Sequence, residues 1–206
     1  TYRERPRCFK LHMKMDRTQI EKHPLKPFLP PQASILMLGS FPPSQKRWSM
    51  EFFYPNFQND MWRIMGLIFY LDKEHFIVKA EKRFDKEKVE QFCTEKGIAL
   101  FDTAQAVYRT MGTASDKDLE IVEPTDIASL LNQLPHCHTI VSTGQKSAEV
   151  LCELFACKIP KMGESCTVNY QQKTLQFYRM PSSSRAYPLQ LEKKAEMYRK
   201  LFEPYA

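Results

Sequence analysis

The chain has no apolar run near the ~20 residues that a membrane-crossing helix needs, and no apolar signal core follows its basic start. Neither a membrane anchor nor a secretory leader is expected. No two cysteines stand in a Cys-x-x-Cys spacing: Cys8, Cys93, Cys137, Cys152, Cys157 and Cys166 are scattered. Cys93 and Cys152 fall on apolar helical stripes, where a cysteine behaves as a small hydrophobe. A reduced, cytoplasmic protein is therefore expected rather than a disulfide framework. His136, Cys137 and His138 are adjacent, but neighbours on a strand point to opposite faces and chelate poorly, so neither a metal nor a cofactor is expected. Internal repeats and low-complexity tracts are also missing. So are a phosphate-loop sequence and a recognisable nucleophile–base pair, which leaves a nucleotide-hydrolase reading with a generic α/β sheet and no machinery.

What is present is the composition of an ordinary globule, with 43% hydrophobic and 26% charged residues in 206. That length suits one well-buried α/β domain, assigned here to residues 19–206. Residues 1–18 form a basic extension in which Arg3, Arg5, Arg7, Lys10, Lys14 and Arg17 outnumber Glu4 and Asp16. This segment carries +4 of the net +6, so the domain itself holds about +2, too little alone to indicate a nucleic-acid partner. The extension reads first as a solvated tail and second as an arm for DNA phosphates.

Four short runs rich in β-branched, aromatic or aliphatic residues predict strands: Ala33–Leu38, Ile98–Phe101, Thr139–Ser142 and Leu175–Met180. Helical stripes lie between them. Met61, Ile64, Met65, Ile68 and Leu71 share a face, as do Ile127, Leu130, Leu131 and Leu134. Ala148, Leu151, Cys152 and Phe155 repeat the pattern, Val89, Phe92 and Cys93 add a shorter stripe, and Leu191, Ala195, Tyr198 and Phe202 close the chain. Pro24, Pro27, Pro30 and Pro31 predict an extended lead-in. Strands alternating with helices imply parallel pairing through right-handed crossovers, with helices on both faces.

In such sheets ligands bind beyond the carboxyl ends of the strands. Those ends are Gly39-Ser40-Phe41-Pro42-Pro43, Asp102-Thr103, Thr143-Gly144-Gln145-Lys146 and Pro181-Ser182-Ser183-Ser184-Arg185. Gly39 permits close backbone approach and the paired prolines stiffen the turn, so Phe41 suits either a stacking floor or the core. The segment Trp48–Trp62 has more aromatics than a core requires, and flat rings can sandwich a flipped base. Asn56 and Asn59 fit helix caps as well as groups that read a base or hold a water. Asp102 fits equally a turn cap or an acceptor for a base N–H. Gly144-Gln145-Lys146 and Ser182-Ser183-Ser184 each precede a helix, where free N–H groups favour phosphate, with Lys146 and Arg185 adding charge.

Taken together, Gly39–Pro43, Phe53-Tyr54-Pro55-Asn56-Phe57-Gln58-Asn59-Asp60-Met61-Trp62, Gly97–Asp102, Gly144–Ala148 and Met180–Ser184 resemble the uracil-DNA glycosylase superfamily. The similarity spans about Lys22 to Phe202, and the branch it most resembles is that of the mismatch-type and hypoxanthine-DNA glycosylases. The resemblance implies a three-layer α/β/α sandwich around a four-stranded parallel sheet. It further implies base flipping and metal-free hydrolysis of the N-glycosidic bond of a deaminated or damaged base, in base excision repair. Gly39, Ser40, Phe41, Phe53 and Tyr54 would line the base pocket. Asn59 would orient the attacking water or stabilise the sugar, and Asp102 would occupy the place of an amide that reads uracil. Pro42, Pro43, Gly144, Gln145, Lys146, Ser182, Ser183, Ser184 and Arg185 would grip DNA, double- or single-stranded, as a monomer.

Three positions depart from that pattern. Phe41 stands where the superfamily carries Asp or Asn, Met180 where a His or Asn opens the last motif, and Ser184 beside Arg185 where a leucine wedge is usual. Losing one positioned polar group costs on the order of 10²–10³ in rate. The departures imply a slow enzyme, a different target base, or a lesion-binding protein without catalysis.

Overall fold

The computed structural model describes residues 19–110 and 119–203, so the basic segment 1–18 lies outside the described residues. In chain order the strands are β1 (Ile20–Lys22), β2 (Ile35–Gly39), β3 (Ile77–Val78), β4 (Arg83–Phe84), β5 (Ile98–Asp102), β6 (Ala104–Arg109), β7 (Leu119–Pro124), β8 (Thr139–Ser142), β9 (Ser165–Tyr170) and β10 (Lys173–Arg179). The helices are α1 (Met61–Tyr70), α2 (Lys86–Lys96), α3 (Ile127–Asn132), α4 (Gln145–Phe155) and α5 (Leu191–Arg199).

The four apolar runs become β2, β5, β8 and β10, which lie in parallel in the order β5-β2-β8-β10. Every residue of β2, β5 and β8 is buried, as a parallel sheet covered on both faces requires. Register aligns Gly39 with Asp102 and Leu38 with Ser142, so the ends of three strands finish at one level. Asp85 and Asp126 cap α2 and α3 by accepting from Lys88 and Ser129 backbone N–H groups, and Gly97 ends α2 at φ 69°.

The sheet has five strands, not the four expected. β9 joins the β10 edge antiparallel, from Lys173↔Tyr170 to Tyr178↔Ser165. The turn between them uses Gln171 and Gln172, at φ 50° and 62°. Paired positive φ is what a two-residue hairpin asks of its turn, and Asn-Gly is its usual signal. Two glutamines give no such signal, and the mostly exposed β9 offers no apolar run.

A second sheet, antiparallel in the order β1-β6-β7, also went unforeseen. β1 is only three residues long, and β6 begins one residue after β5 ends, so neither stands out as a separate run. The proline-rich lead-in is extended only in part: Phe28 is bridged to Leu100 of β5, while the chain bends at Pro24–Leu25 and turns at Pro31–Gln32, where Ala33 N–H donates to the Pro30 carbonyl. Ser182–Ser184 does not start a helix: α5 begins only at Leu191, behind Gln190.

Gly66 breaks a helical face that otherwise favours larger residues. A Cβ there would lie 2.3 Å from the backbone oxygen of Asp72, in the turn that follows α1. Gly66→Ala should lower stability by about 1–3 kcal/mol, because backbone cannot move aside as a flexible side chain can; urea unfolding followed by circular dichroism measures this.

Candidate active site at the carboxyl ends of the parallel strands

The ends of β2, β5 and β8 bring three polar side chains over one glycine. A Cβ on Gly39 would sit 2.7 Å from Asp102 Oδ1, 3.5 Å from Thr143 Oγ1 and 3.8 Å from the Tyr54 hydroxyl. The missing side chain is what leaves room for these groups to converge. Tyr54 and Thr143 hydroxyls are hydrogen-bonded at 2.9 Å. Tyr54 reaches this position from a backbone at φ 51°, which few non-glycine residues adopt. Burial, then the Asp102 charge, pushes its phenol well above the usual range, so it is present as an O–H.

Asp102 is 7% exposed, and its carboxylate does not cap the turn at Thr103. Oδ2 is instead 2.7 Å from Nε2 of His23, whose side chain is fully buried. The turn is tied by backbone: Thr103 N–H donates to the Gly39 carbonyl and Ala104 N–H to that of Ser40. His23 was not among the sequence candidates. It lies in the lead-in just past β1, and a single histidine before Pro24 carries no motif.

The aromatic residues divide. Phe53 is 4% exposed and packs against His23, Phe52 and Phe101 as part of the main hydrophobic core. Phe41 joins Ala104, Val107 and Leu119 in a small apolar cluster and meets the His23 ring edge-on at 5.3 Å. With Pro42, Pro43, Lys22 and Pro24 it also lines a cavity of about 220 Å³. That is below the ~300 Å³ of typical ligand clefts, and Gly39, Tyr54, Asp102 and Thr143 are not among its lining residues. The Trp48 indole N–H donates to the Pro43 carbonyl and holds the stiff loop against the aromatic segment.

Asn59 sits at the entry to α1, bridged to Ser184. Its Oδ1 accepts the Met61 backbone N–H at 2.9 Å, so the capping role is realised and the amide N–H groups are the side that can address a ligand. Ser183 is buried, and its carbonyl accepts the Asp60 N–H at 2.7 Å. Asp60 is surrounded by cations: Arg185 at 3.2 Å, Lys194 at 3.4 Å and Arg63 at 3.9 Å. Lys194 is fully buried and donates to the Ser184 carbonyl at 2.9 Å. Its only sequence signal is a lysine on the apolar stripe of Leu191, Ala195 and Tyr198. Burial, then Arg185 beside it, lowers the affinity of Arg63 for its proton, the mark of a crowded positive cluster.

At the third strand end, Gly144 precedes α4 without a side-chain cap. Lys146 donates to the Leu119 carbonyl at 2.7 Å and Gln145 to Glu149, so both side chains are already engaged. Ser182 Oγ accepts the Ser184 N–H, and Arg185 also donates to Gln58. Met180, fully buried, belongs to the core. The structure thus brings Gly39, Tyr54 and Asp102 together and gathers Asn59 with the serine loop at the start of α1. Among the described residues no three His, Cys, Asp or Glu side chains form a group that could hold a metal ion, and no helix is long and apolar enough to cross a membrane.

Tyr198 and Tyr54 should both resist ionisation near pH 10.0, where free phenols titrate. A phenol whose folded pKa is raised favours the native state below the unfolded pKa. The unfolded chain releases these protons first, so stability should decline as pH rises above about 10. Ultraviolet titration of tyrosinate checks this: two of the nine tyrosines should ionise only as the protein unfolds.

No family model and no curated protein matches the chain. Among solved structures it is similar to the solution structure of a "putative Uracil DNA glycosylase" from Methanosarcina acetivorans, at 21% identity and a TM-score of 0.61, over 90% of this chain and 98% of that one. The likeness runs through the whole layered sheet, so the chain has a uracil-DNA-glycosylase-like α/β fold.

Proposed function

We propose that the protein is a DNA glycosylase of the mismatch-type or hypoxanthine branch, acting on a deaminated or damaged base flipped out of DNA. The observation that carries this reading is the convergence of Asp102 Oδ1, the Tyr54 hydroxyl and Thr143 Oγ1 over Gly39, at the strand ends of a glycosylase-like fold. One carboxylate and two hydroxyls gathered at the strand ends supply the acceptor and donors that the polar edge of a base would need.

Breaking an N-glycosidic bond requires help for two developing charges. The sugar becomes cationic as the C1′–N bond breaks, and the bonding electrons leave with the base. Water then adds at C1′, and the proton it loses passes by way of solvent to the departed base anion, leaving a C1′ hydroxyl and a neutral base. In this reading the Asn59 amide holds the water and stabilises the sugar, Asp102 reads the base, and backbone N–H groups of the Gly39-Ser40-Phe41 loop receive the base anion. Tyr54 stays protonated and supplies a hydrogen-bond donor. Exclusion of solvent by Phe41 and Phe53 strengthens each of these interactions. An ionised Asp102 only accepts hydrogen bonds, so it favours a base edge that presents an N–H.

DNA would be held by Pro42 and Pro43, by the α4 start at Gly144–Lys146, and by Ser182–Arg185. The surplus of positive charge around Asp60 supports a phosphate contact at that last loop. A second reading, lesion binding without catalysis, is favoured by Phe41 and Met180 at positions that are polar elsewhere in the superfamily, and by the commitment of Asn59 Oδ1 to its cap.

Oligonucleotides carrying uracil, hypoxanthine, xanthine or an alkylated base, followed by alkali, separate the two. Base release should appear as strand breaks at the modified site. Asn59→Ala should slow single-turnover release on the order of 10²–10³-fold, and Asp102→Asn should shift preference toward uracil. Salt-sensitive, lesion-selective binding with no abasic product after long incubation would establish the binder instead.

A further inference from the structure

The function above leaves His23 unused, although it is hydrogen-bonded to the Asp102 carboxylate at 2.7 Å. We propose that His23 is a positioning residue: held as the neutral Nε2–H tautomer, it pins Asp102 Oδ2 and so fixes Oδ1 over Gly39.

The tautomer follows from who donates to the ring. The Leu25 backbone N–H points at His23 Nδ1 at 3.1 Å. A backbone N–H only donates, so Nδ1 must offer its lone pair and carries no hydrogen. The single ring proton then lies on Nε2, where it donates to Asp102 Oδ2 at 2.7 Å. With both nitrogens engaged, His23 has no free site from which to take or give a substrate proton. Its effect is exerted through the carboxylate.

The surroundings hold that arrangement still. The His23 side chain is fully buried, and its ring packs on Phe101 at 4.4 Å, Phe41 at 5.3 Å and Phe53 at 6.1 Å. No rotation of the imidazole is possible without moving one of those rings. Its backbone is clamped as well: β1 pairs with β6 through Lys22↔Ala106, and the His23 N–H donates to the Gln105 carbonyl at 2.8 Å. The small antiparallel sheet therefore delivers an imidazole to the end of β5. An aspartate fixed through one oxygen keeps its other oxygen over Gly39, where a 1 Å displacement of a reacting group can cost about 10²-fold in rate. This role rests on the glycosylase reading for its substrate, but not for the hydrogen bond itself.

Two substitutions separate positioning from packing. His23→Phe keeps the aromatic filling and removes the donor; His23→Gln keeps an N–H donor and removes the ring. With an oligonucleotide that the wild type cleaves, His23→Phe should lose on the order of 10²-fold in kcat with little change in KM, and His23→Gln should recover part of it despite lower thermal stability. Long-range ¹H–¹⁵N spectra of the resting protein should show Nδ1 unprotonated and Nε2 protonated at neutral pH. The proposal is overturned if activity follows ring size, so that His23→Phe matches wild type and His23→Gln fails, or if the spectra place the proton on Nδ1 or on both nitrogens. If the wild type releases no base from any oligonucleotide, the glycosylase reading falls. The spectra, with the Nε2–H signal moving in Asp102→Asn, then still decide whether His23 holds Asp102.

Discussion

A carboxylate 7% exposed at the top of an apolar sheet must be paired, because burying an unsatisfied charge costs several kcal/mol. Asp102 is paired by His23, and much of the local architecture follows from that one hydrogen bond. The lead-in must run as a strand beside β6 to bring His23 there. Phe41, Phe53 and Phe101 must close around the imidazole. Gly39 must lack a side chain, since any Cβ would collide with the oxygen that His23 leaves exposed. Tyr54 accepts an unfavourable backbone conformation so that its hydroxyl can meet Thr143 across the same space.

A second buried charge centre ties the remaining loops to this one. Asp60, at the entry to α1, is shared by Arg63, Arg185 and Lys194, and the Ser183 and Ser184 carbonyls are held by Asp60 and Lys194. One carboxylate against three cations leaves local positive charge under the serine loop. Arg63 dissipates part of its own by lying over the faces of Phe57 and Phe84, at 4.6 and 5.2 Å. α1 packs on α5, and the loop that carries Asn59 is bridged to the loop that carries Ser184.

In the proposed function the two centres would divide chemistry from grip. Over Gly39 the groups are an acceptor and hydroxyls of low mobility, suited to reading a ring. At Asp60 they are cations and main-chain groups, suited to a phosphodiester. The glycosylase reading rests on that division as well as on the fold.

The repeating patterns were legible in the primary structure because burial imposes them residue by residue. A strand covered on both faces has to be apolar throughout, so β2, β5 and β8 stand out; β10 shows through its aliphatic and aromatic residues, with Leu175 and Phe177 buried, and a helix packed on one side has to carry a stripe, so α1 to α5 do too. Gly39, Asp102 and Gly144 could be located for the same reason, since strand ends follow from strands. Contacts between segments distant in the chain were not legible. His23 and Asp102 are 79 residues apart, and Lys194 and Asp60 are 134. Neither partner has a local preference that reveals the other, so only folding brings them within reach. The same holds for β9 and for the sheet of β1, β6 and β7, whose short or exposed strands are defined by partners rather than by their own hydrophobicity. Composition and periodicity determined the layers; the pairing of buried polar groups across them, which sets the cluster over Gly39, was decided by tertiary structure alone.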